Sequence, residues 1–229
     1  MKMSTRRKTI SIILKCVVIL SAAIGTYLSA TVNTGGFMSG TMAFMYFTIQ
    51  SNIAVALICA VGIILLLRGK PVKNAWFVIK YVGAVAITLT GAVFTFVLAP
   101  TLGDRAWNVH NVLTHVVVPV IYVVDFFLTG IFGEIKKVHA LFVTLPPLAY
   151  AIYAGICYAM GLEFAGGVNY PYFFLNWGSP AGAFGFTSEL PFMGCMWWIL
   201  ALLILLITVG LLYRLILNNL KRRYTEKSR

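Results

Sequence analysis

Six long apolar stretches, separated by shorter polar or glycine-containing segments, dominate the pattern of hydrophobic and polar positions along the chain. A helix rises about 1.5 Å per residue, so about 20 apolar residues cross the ~30 Å hydrocarbon core of a bilayer. The stretches are continuously apolar and lack the two-residue alternation of barrel strands. We therefore expect an all-α, polytopic membrane protein, a six-helix bundle forming one transmembrane domain over residues 1–229. The predicted spans cover residues 10–30, 45–67, 77–99, 111–132, 138–160 and 192–217.

The second apolar stretch opens with a polar face. Its first residues, YFTIQSN at 46–52, place Thr48, Ser51 and Asn52 at positions i, i+3 and i+4, which share one side of a helix. Each uncompensated polar group at membrane depth costs on the order of a few kcal/mol. This face therefore needs polar partners inside the bundle.

The fourth apolar stretch carries a matching face. Its segment NVLTHVVVP places Asn111, Thr114 and His115 at the same spacing. Alternate spans enter from the same side, and both Thr48 and His115 follow closely on the start of their spans. We predict that the two faces meet, with Thr48 beside His115.

Composition agrees with a membrane protein. The chain is 60% hydrophobic and 10% charged, with a mean hydropathy of +0.91, whereas soluble domains carry about 25% charged residues. The net charge of +12 follows the predicted loops, since the first, third and fifth connections contain a single basic residue, Arg105. By the positive-inside rule we expect both termini to be cytoplasmic, and we expect no nucleic-acid partner. The other loop and terminal basic residues are Lys2, Arg6, Arg7, Lys8, Arg68, Lys70, Lys73, Lys136, Lys137, Lys221, Arg222, Arg223, Lys227 and Arg229.

Asp125 is the other polar group of interest in the fourth span. It lies ten residues beyond His115, about 15 Å along a helix axis, so it cannot orient that imidazole directly. An intramembrane carboxyl is a functional candidate. Lys15 and Lys80 enter the membrane from the same side, so a structural ion pair is an equal alternative.

The fifth connection, residues 161–191, is the longest and is rich in aromatic residues, glycine and proline. Its segment YPYFFLN contains Tyr170 and Asn176 as candidate site residues. The connection could cover an outer cavity as a lid, or it could anchor the protein at the interface. Both alternatives fit the composition of this connection.

We expect no metal ion and no other cofactor. The four cysteines form no metal-binding pattern; Cys157 and Cys195 could form a disulfide, although buried thiols are commoner. His110 and His115 are five residues apart and lie ~140° apart around a helix, so they do not converge on one ion.

A hydroxyl beside a neutral imidazole is the minimum for nucleophilic acyl transfer, because the imidazole takes the hydroxyl proton and returns it to the leaving group. Thr48 and His115 fit these roles. Ser51, Asn52 or Asn111 could donate hydrogen bonds to the developing oxyanion. The same residue types also serve as hydrogen-bonding contacts between membrane helices, which is the commoner use.

YFTIQSN, the spacing of His115, Pro119 and Asp125, and YPYFFLN together resemble the Pr6Pr-type bacterial membrane proteins. These are similar in turn to the eukaryotic androgen-induced and androgen-dependent tissue-factor-pathway-inhibitor-regulating family. The resemblance covers nearly the whole chain. It implies a multi-pass protein of the bacterial cytoplasmic membrane, and for the eukaryotic members it implies intramembrane hydrolysis of fatty acid esters by a threonine that matches Thr48 and a histidine that matches His115.

We therefore expect a threonine-type lipid ester hydrolase, acting on a membrane lipid or amphipathic acyl substrate in an outer cavity lined by spans two, three and four. Two other functions fit the sequence. A small transporter or binding protein would use His115 and Asp125 as a proton relay or ligand contacts. A non-catalytic structural membrane protein would use neither. The sequence sets no oligomeric state.

Overall fold

The computed structural model describes residues 3–32, 38, 40–69 and 71–226. The described residues are mostly helical and form no β-strand, and the longest non-helical stretch lies between the last two long helices. Six helices are long and apolar enough to cross a membrane, which indicates a membrane protein. They are α1 (Thr5–Thr31), α2 (Phe47–Arg68), α3 (Asn74–Leu102), α4 (Val109–Gly130), α5 (His139–Ala159) and α6 (Cys195–Glu226).

The bounds of the six helices lie within about five residues of the predicted span ranges, except at the end of the last. Helix α6 continues to Glu226, well beyond the predicted end at 217. Four basic residues used for the topology prediction lie outside the described residues, namely Lys2, Lys70, Lys227 and Arg229.

Helices α1 to α4 form the closely packed part of the bundle, with α1 against α2 and α4, and α3 against α2 and α4. Helix α6 packs on α3, while α5 makes its closest approach to α6. The start of α1 meets the end of α6, since the Arg7 guanidinium lies 4.6 Å from the centre of the Tyr224 ring. We call this end of the bundle the terminal end and the opposite one the Thr48 end.

Two prolines widen neighbouring helices at the Thr48 end. Pro100 in α3 follows a π-helical turn over Phe94–Leu98, and Pro119 in α4 follows one over Leu113–Val117. Proline lacks an N–H and its ring clashes with the carbonyl four residues earlier. A wider turn relieves that clash, and such turns are frequent at functional sites. The first of these turns begins at Phe94, and the second contains His115.

Glycines allow α4 to sit close to its neighbours at this level. A Cβ on Gly25 of α1 would lie 2.6 Å from the Thr114 side chain, and one on Gly91 of α3 would lie 2.8 Å from the His115 carbonyl oxygen. Both distances are shorter than real Cβ contacts. The backbone around His115 is therefore held between α1 and α3.

Replacing Gly91 with alanine is expected to destabilise the protein. The new methyl group meets a backbone oxygen that cannot move without shifting α4, and overpacking costs about 1–3 kcal/mol, against about 1 kcal/mol gained from helix propensity. Thermal unfolding in detergent should show the loss. Gly155→Ala in α5 is the control, because its methyl group would lie 3.7 Å from Trp177 and fits. Equal stability of the two variants would contradict this packing.

The chain between α5 and α6 folds over the Thr48 end. The Tyr46 hydroxyl donates a hydrogen bond to the Phe164 carbonyl at 3.0 Å, and the ring of Tyr172 packs edge-on against Tyr46 at 5.8 Å between centroids. Cys157 and Cys195 flank this segment as free, buried thiols. Aromatic contacts hold the segment onto the start of α2.

Candidate functional site

The structure brings the two predicted polar faces together. The Thr48 Oγ1 atom lies 3.2 Å from the His115 Nε2 atom, within hydrogen-bonding distance. Thr48 is 4% exposed and His115 3% exposed. A buried hydroxyl and a buried imidazole therefore face each other across α2 and α4.

Hydrogen bonds on the far side of the ring set the tautomer of His115. Its Nδ1 atom lies 3.0 Å from the Asn111 carbonyl oxygen, which can only accept. The Thr114 oxygen lies 3.1 Å from the same nitrogen and donates its own hydrogen to the His110 carbonyl. Nδ1 therefore carries the hydrogen, and in the neutral ring Nε2 is free to accept a proton from Thr48.

Asn52 links α2 to α4 below this pair. Its side-chain N–H groups donate to the Thr48 carbonyl at 2.8 Å and to the Thr114 carbonyl at 3.1 Å. Both amide hydrogens are used, so Asn52 has none left for an oxyanion. It positions the two helices instead.

Ser51 and Asn111 are also engaged elsewhere. The Ser51 hydroxyl is 3.0 Å from the Thr48 carbonyl and 2.8 Å from the Thr90 hydroxyl. The Asn111 side chain donates to the Ala106 carbonyl at 2.9 Å. Of the donors that the sequence offered for an oxyanion, none is aimed at the Thr48 hydroxyl.

Phe94 covers the His115 ring. The two rings stack with centroids 3.8 Å apart and planes 18° apart, and Trp107 packs edge-on against Phe94 at 5.5 Å. Phe94 starts the π-helical turn of α3, and His115 lies in that of α4. The two wide turns thus place an aromatic wall on one face of the imidazole.

Tyr172 supplies a buried hydroxyl at the site that the sequence analysis did not single out. Burial raises the pKa of Tyr172 to about 12, although hydrogen bonds with the Thr48 side chain and with the backbone of Thr48 and Phe47 oppose the shift. Its hydroxyl therefore keeps its proton at neutral pH. The backbone N–H groups of Phe47 and Thr48 belong to the first turn of α2, where a helix leaves N–H groups without internal partners. The side chain of Tyr46, the residue before the helix, does not cap them.

A narrow cavity of about 60 Å³ opens beside Thr48, and its lining is almost entirely apolar. The prediction of walls from spans two, three and four needs correction. Helices α2 and α3 do contribute, but α4 does not, because Phe94 covers His115. The other walls come from α5, α6 and the segment that contains Tyr172 and Phe174. That segment covers the cavity, as the lid alternative predicts.

Tyr170 and Asn176 lie away from this cavity. Its lining includes Tyr172, two residues after Tyr170. The Asn176 side chain accepts a hydrogen bond from the Gly178 N–H at 3.1 Å and so stabilises a local turn. The YPYFFLN segment does reach the site, but through a different tyrosine.

Asp125 belongs to a separate buried cluster nearer the terminal end. Its Oδ2 atom lies 2.5 Å from the Lys15 Nζ atom and 3.8 Å from the Lys80 Nζ atom. Ser11 donates to Oδ1 at 2.5 Å, and Lys80 also donates to the Thr129 hydroxyl. All three charged groups are at most 3% exposed. Of the two alternatives for Asp125, the structure therefore contains the ion pair with Lys15 and Lys80.

Fold and site together define an all-helical membrane protein with a buried threonine–histidine pair beside an apolar cavity. No protein-family model, curated protein or solved structure matches the chain. The resemblance to the Pr6Pr-type proteins accordingly stays a prediction from sequence motifs.

Proposed function

We propose that the protein is an intramembrane threonine-type hydrolase of lipid esters, with Thr48 as nucleophile and His115 as general base and acid. One observation carries the proposal: the Thr48 hydroxyl oxygen lies 3.2 Å from Nε2 of an imidazole whose Nδ1 lies 3.0 Å from the Asn111 carbonyl oxygen. A nucleophile, a base and a group that orients the base form the arrangement that activates an alcohol. The motif resemblance to a family of fatty-ester hydrolases agrees with it.

The reaction runs in two halves. As the Thr48 oxygen bonds to the ester carbonyl carbon, its proton passes to His115 Nε2. The tetrahedral intermediate then collapses, the bond to the alcohol oxygen breaks, and His115 returns the proton to that oxygen. Water attacks the resulting acyl-threonine through the same proton transfers, which releases the fatty acid and restores the Thr48 hydroxyl.

The oxyanion of the intermediate would lie at the start of α2. There the Tyr172 hydroxyl is hydrogen-bonded to the backbone of Phe47 and Thr48, and we propose that the oxyanion takes its place on these backbone N–H groups. Donors at a helix N-terminus favour negative charge, and fixed donors in a water-poor site stabilise it strongly. These groups take the role that the sequence analysis gave to Ser51, Asn52 and Asn111.

The apolar walls of the cavity favour an ester flanked by hydrocarbon rather than by polar or charged groups. An ester of a long-chain acid places its carbonyl near the headgroups and its chains in the membrane interior, so it reaches the site without leaving the bilayer. From the basic loops we also propose that both termini are cytoplasmic. The Thr48 end then faces the outer leaflet.

Covalent labelling tests the nucleophile. The purified protein in detergent is treated with an alkyl fluorophosphonate, whose phosphorus bonds to an activated hydroxyl oxygen as fluoride leaves. We expect labelling of wild type at Thr48, mapped by peptide mass spectrometry, and none in Thr48→Val, which keeps the side-chain shape but lacks the oxygen.

Two further variants control the experiment. Thr48→Ser keeps a hydroxyl and should be labelled, and Ser51→Ala should be labelled like wild type because Ser51 bonds to the Thr48 carbonyl and Thr90. Labelling of Thr48→Val at the wild-type rate, or no hydrolysis of any acyl ester by folded wild type, would overturn the proposal.

A further inference from the structure

A long apolar groove runs along the outside of the bundle between α2, α3 and α5. It exists because α5 packs closest to α6 and stands away from α2 and α3. Its volume is about 670 Å³, within the ~300–1,000 Å³ typical of small-molecule sites. Side chains such as Ile79 and Leu145 line it and are 48% and 60% exposed, so it faces the surrounding membrane.

The groove adjoins the Thr48 cavity through two shared residues. Phe47 and Tyr150 line both spaces, and their rings touch edge-on with centroids 5.3 Å apart. The Tyr150 hydroxyl donates to the Met45 carbonyl at 3.1 Å, which holds this ring in place. The ring pair therefore separates a groove of about 670 Å³ from a cavity of about 60 Å³, which is too small for an acyl chain.

The dimensions and polarity of the groove fit one lipid chain. From Phe47 to Ile58 it follows α2 for about 16 Å at ~1.5 Å per residue. That is about half of the ~30 Å hydrocarbon core, the depth of a single leaflet. Its four polar side chains, those of Gln50, Ser51, Tyr150 and Tyr153, lie toward the Thr48 end, while the remainder is hydrocarbon. An acyl chain with its ester near Thr48 matches this distribution.

We propose that the groove binds one acyl chain of a lipid from the leaflet at the Thr48 end, and that the Phe47–Tyr150 pair is the gate through which the ester reaches Thr48. The gating part rests on the proposed hydrolase function. The binding part does not, because a lipid can occupy the groove whether or not its ester is cleaved. The bilayer itself supplies the ligand, so entry is lateral.

Groove binding is tested by photo-crosslinking in phosphatidylcholine vesicles that contain a phosphatidylcholine with a diazirine in one acyl chain. The test variant is Ala54→Trp with Ala149→Trp, two exposed alanines that line the groove from α2 and α5. The control is Leu57→Trp with Ile152→Trp on the outward faces of the same helices. We expect crosslinks on groove residues to fall about tenfold or more in the test variant, because two indole rings fill the space that the acyl chain would occupy, and to persist in the control.

Hydrolysis supplies the second measurement. The test variant should lose long-chain ester hydrolysis by a similar factor and keep cleavage of a short, water-soluble butyrate ester. Groove crosslinks without any hydrolysis would support binding while overturning the hydrolase function. Equal crosslinking of groove and outward faces, or an unchanged yield in the test variant, would overturn the proposal even if wild type is an active hydrolase.

Discussion

Replacing His115 with asparagine is expected to lower kcat for lipid ester hydrolysis by about 10²–10⁴-fold, the contribution of a positioned general base. An asparagine side chain can still place an N–H near the Asn111 carbonyl, but it has nothing at the position of Nε2, which lies 3.2 Å from the Thr48 oxygen. Proton removal from Thr48 therefore fails while the local hydrogen bond survives. Steady-state kinetics on a long-chain ester in mixed micelles would measure the loss.

His110→Asn is the matched control, since His110 lies in the same helix and the substitution keeps its backbone carbonyl, which accepts the hydrogen bond from Thr114. We expect it to keep kcat within a few fold. Phe94→Leu keeps the imidazole but removes the stacked ring, and its effect should fall between the two. A folded His115→Asn protein with wild-type kcat would exclude the proposed mechanism.

Replacing Asp125 with asparagine is expected to cost about 3–5 kcal/mol of stability, because removal of one partner leaves a buried charge uncompensated. Here the effect falls on two ammonium groups, Lys15 and Lys80, that both face the same carboxylate oxygen. Neither can reach water, as each is at most 3% exposed. Thermal unfolding in detergent should show a large decrease in melting temperature.

Glu134→Gln removes an exposed carboxylate at the terminal end and should change stability by no more than about 0.5 kcal/mol. A triple variant, Lys15→Met with Lys80→Met and Asp125→Leu, should recover most of the loss, since apolar replacement of a buried ion cluster is often neutral or stabilising. If Asp125→Asn kept full stability and instead abolished solute flux in proteoliposomes, the transporter alternative would replace the hydrolase.

Hydrophobic pattern and helical spacing were enough to predict the six spans and the meeting of Thr48 with His115. Both rest on regularity: a span needs a fixed length of apolar residues, and positions i, i+3 and i+4 share a face in any regular helix. The end of α6 was missed because polarity, which marks the membrane boundary, does not mark where the helix stops. The residues to Glu226 are polar yet helical.

The parts of the site that could not be predicted from the sequence depend on irregular backbone and on tertiary contacts. Phe94 and His115 stack because each lies in a π-helical turn, and the 3.6-residue periodicity of a regular helix does not predict such turns. Pro100 and Pro119, which follow the two turns, are a local signal for them. Tyr172 comes from a segment without periodicity, so only its tertiary docking selects it over Tyr170. Asn52 was predicted as a possible oxyanion donor, but its side chain donates to two backbone carbonyls. Helical spacing alone does not predict those hydrogen bonds.

The docking of Tyr172 has a consequence for the biogenesis of the protein. Chains enter the membrane from the N-terminus onward during synthesis, so a nascent chain that has inserted four helices already holds both Thr48 and His115. It still lacks Tyr172 and the walls from α5 and α6. On the proposed function, hydrolytic competence would arise only when translation is complete, and a half-made chain could not attack the bilayer into which it is being inserted.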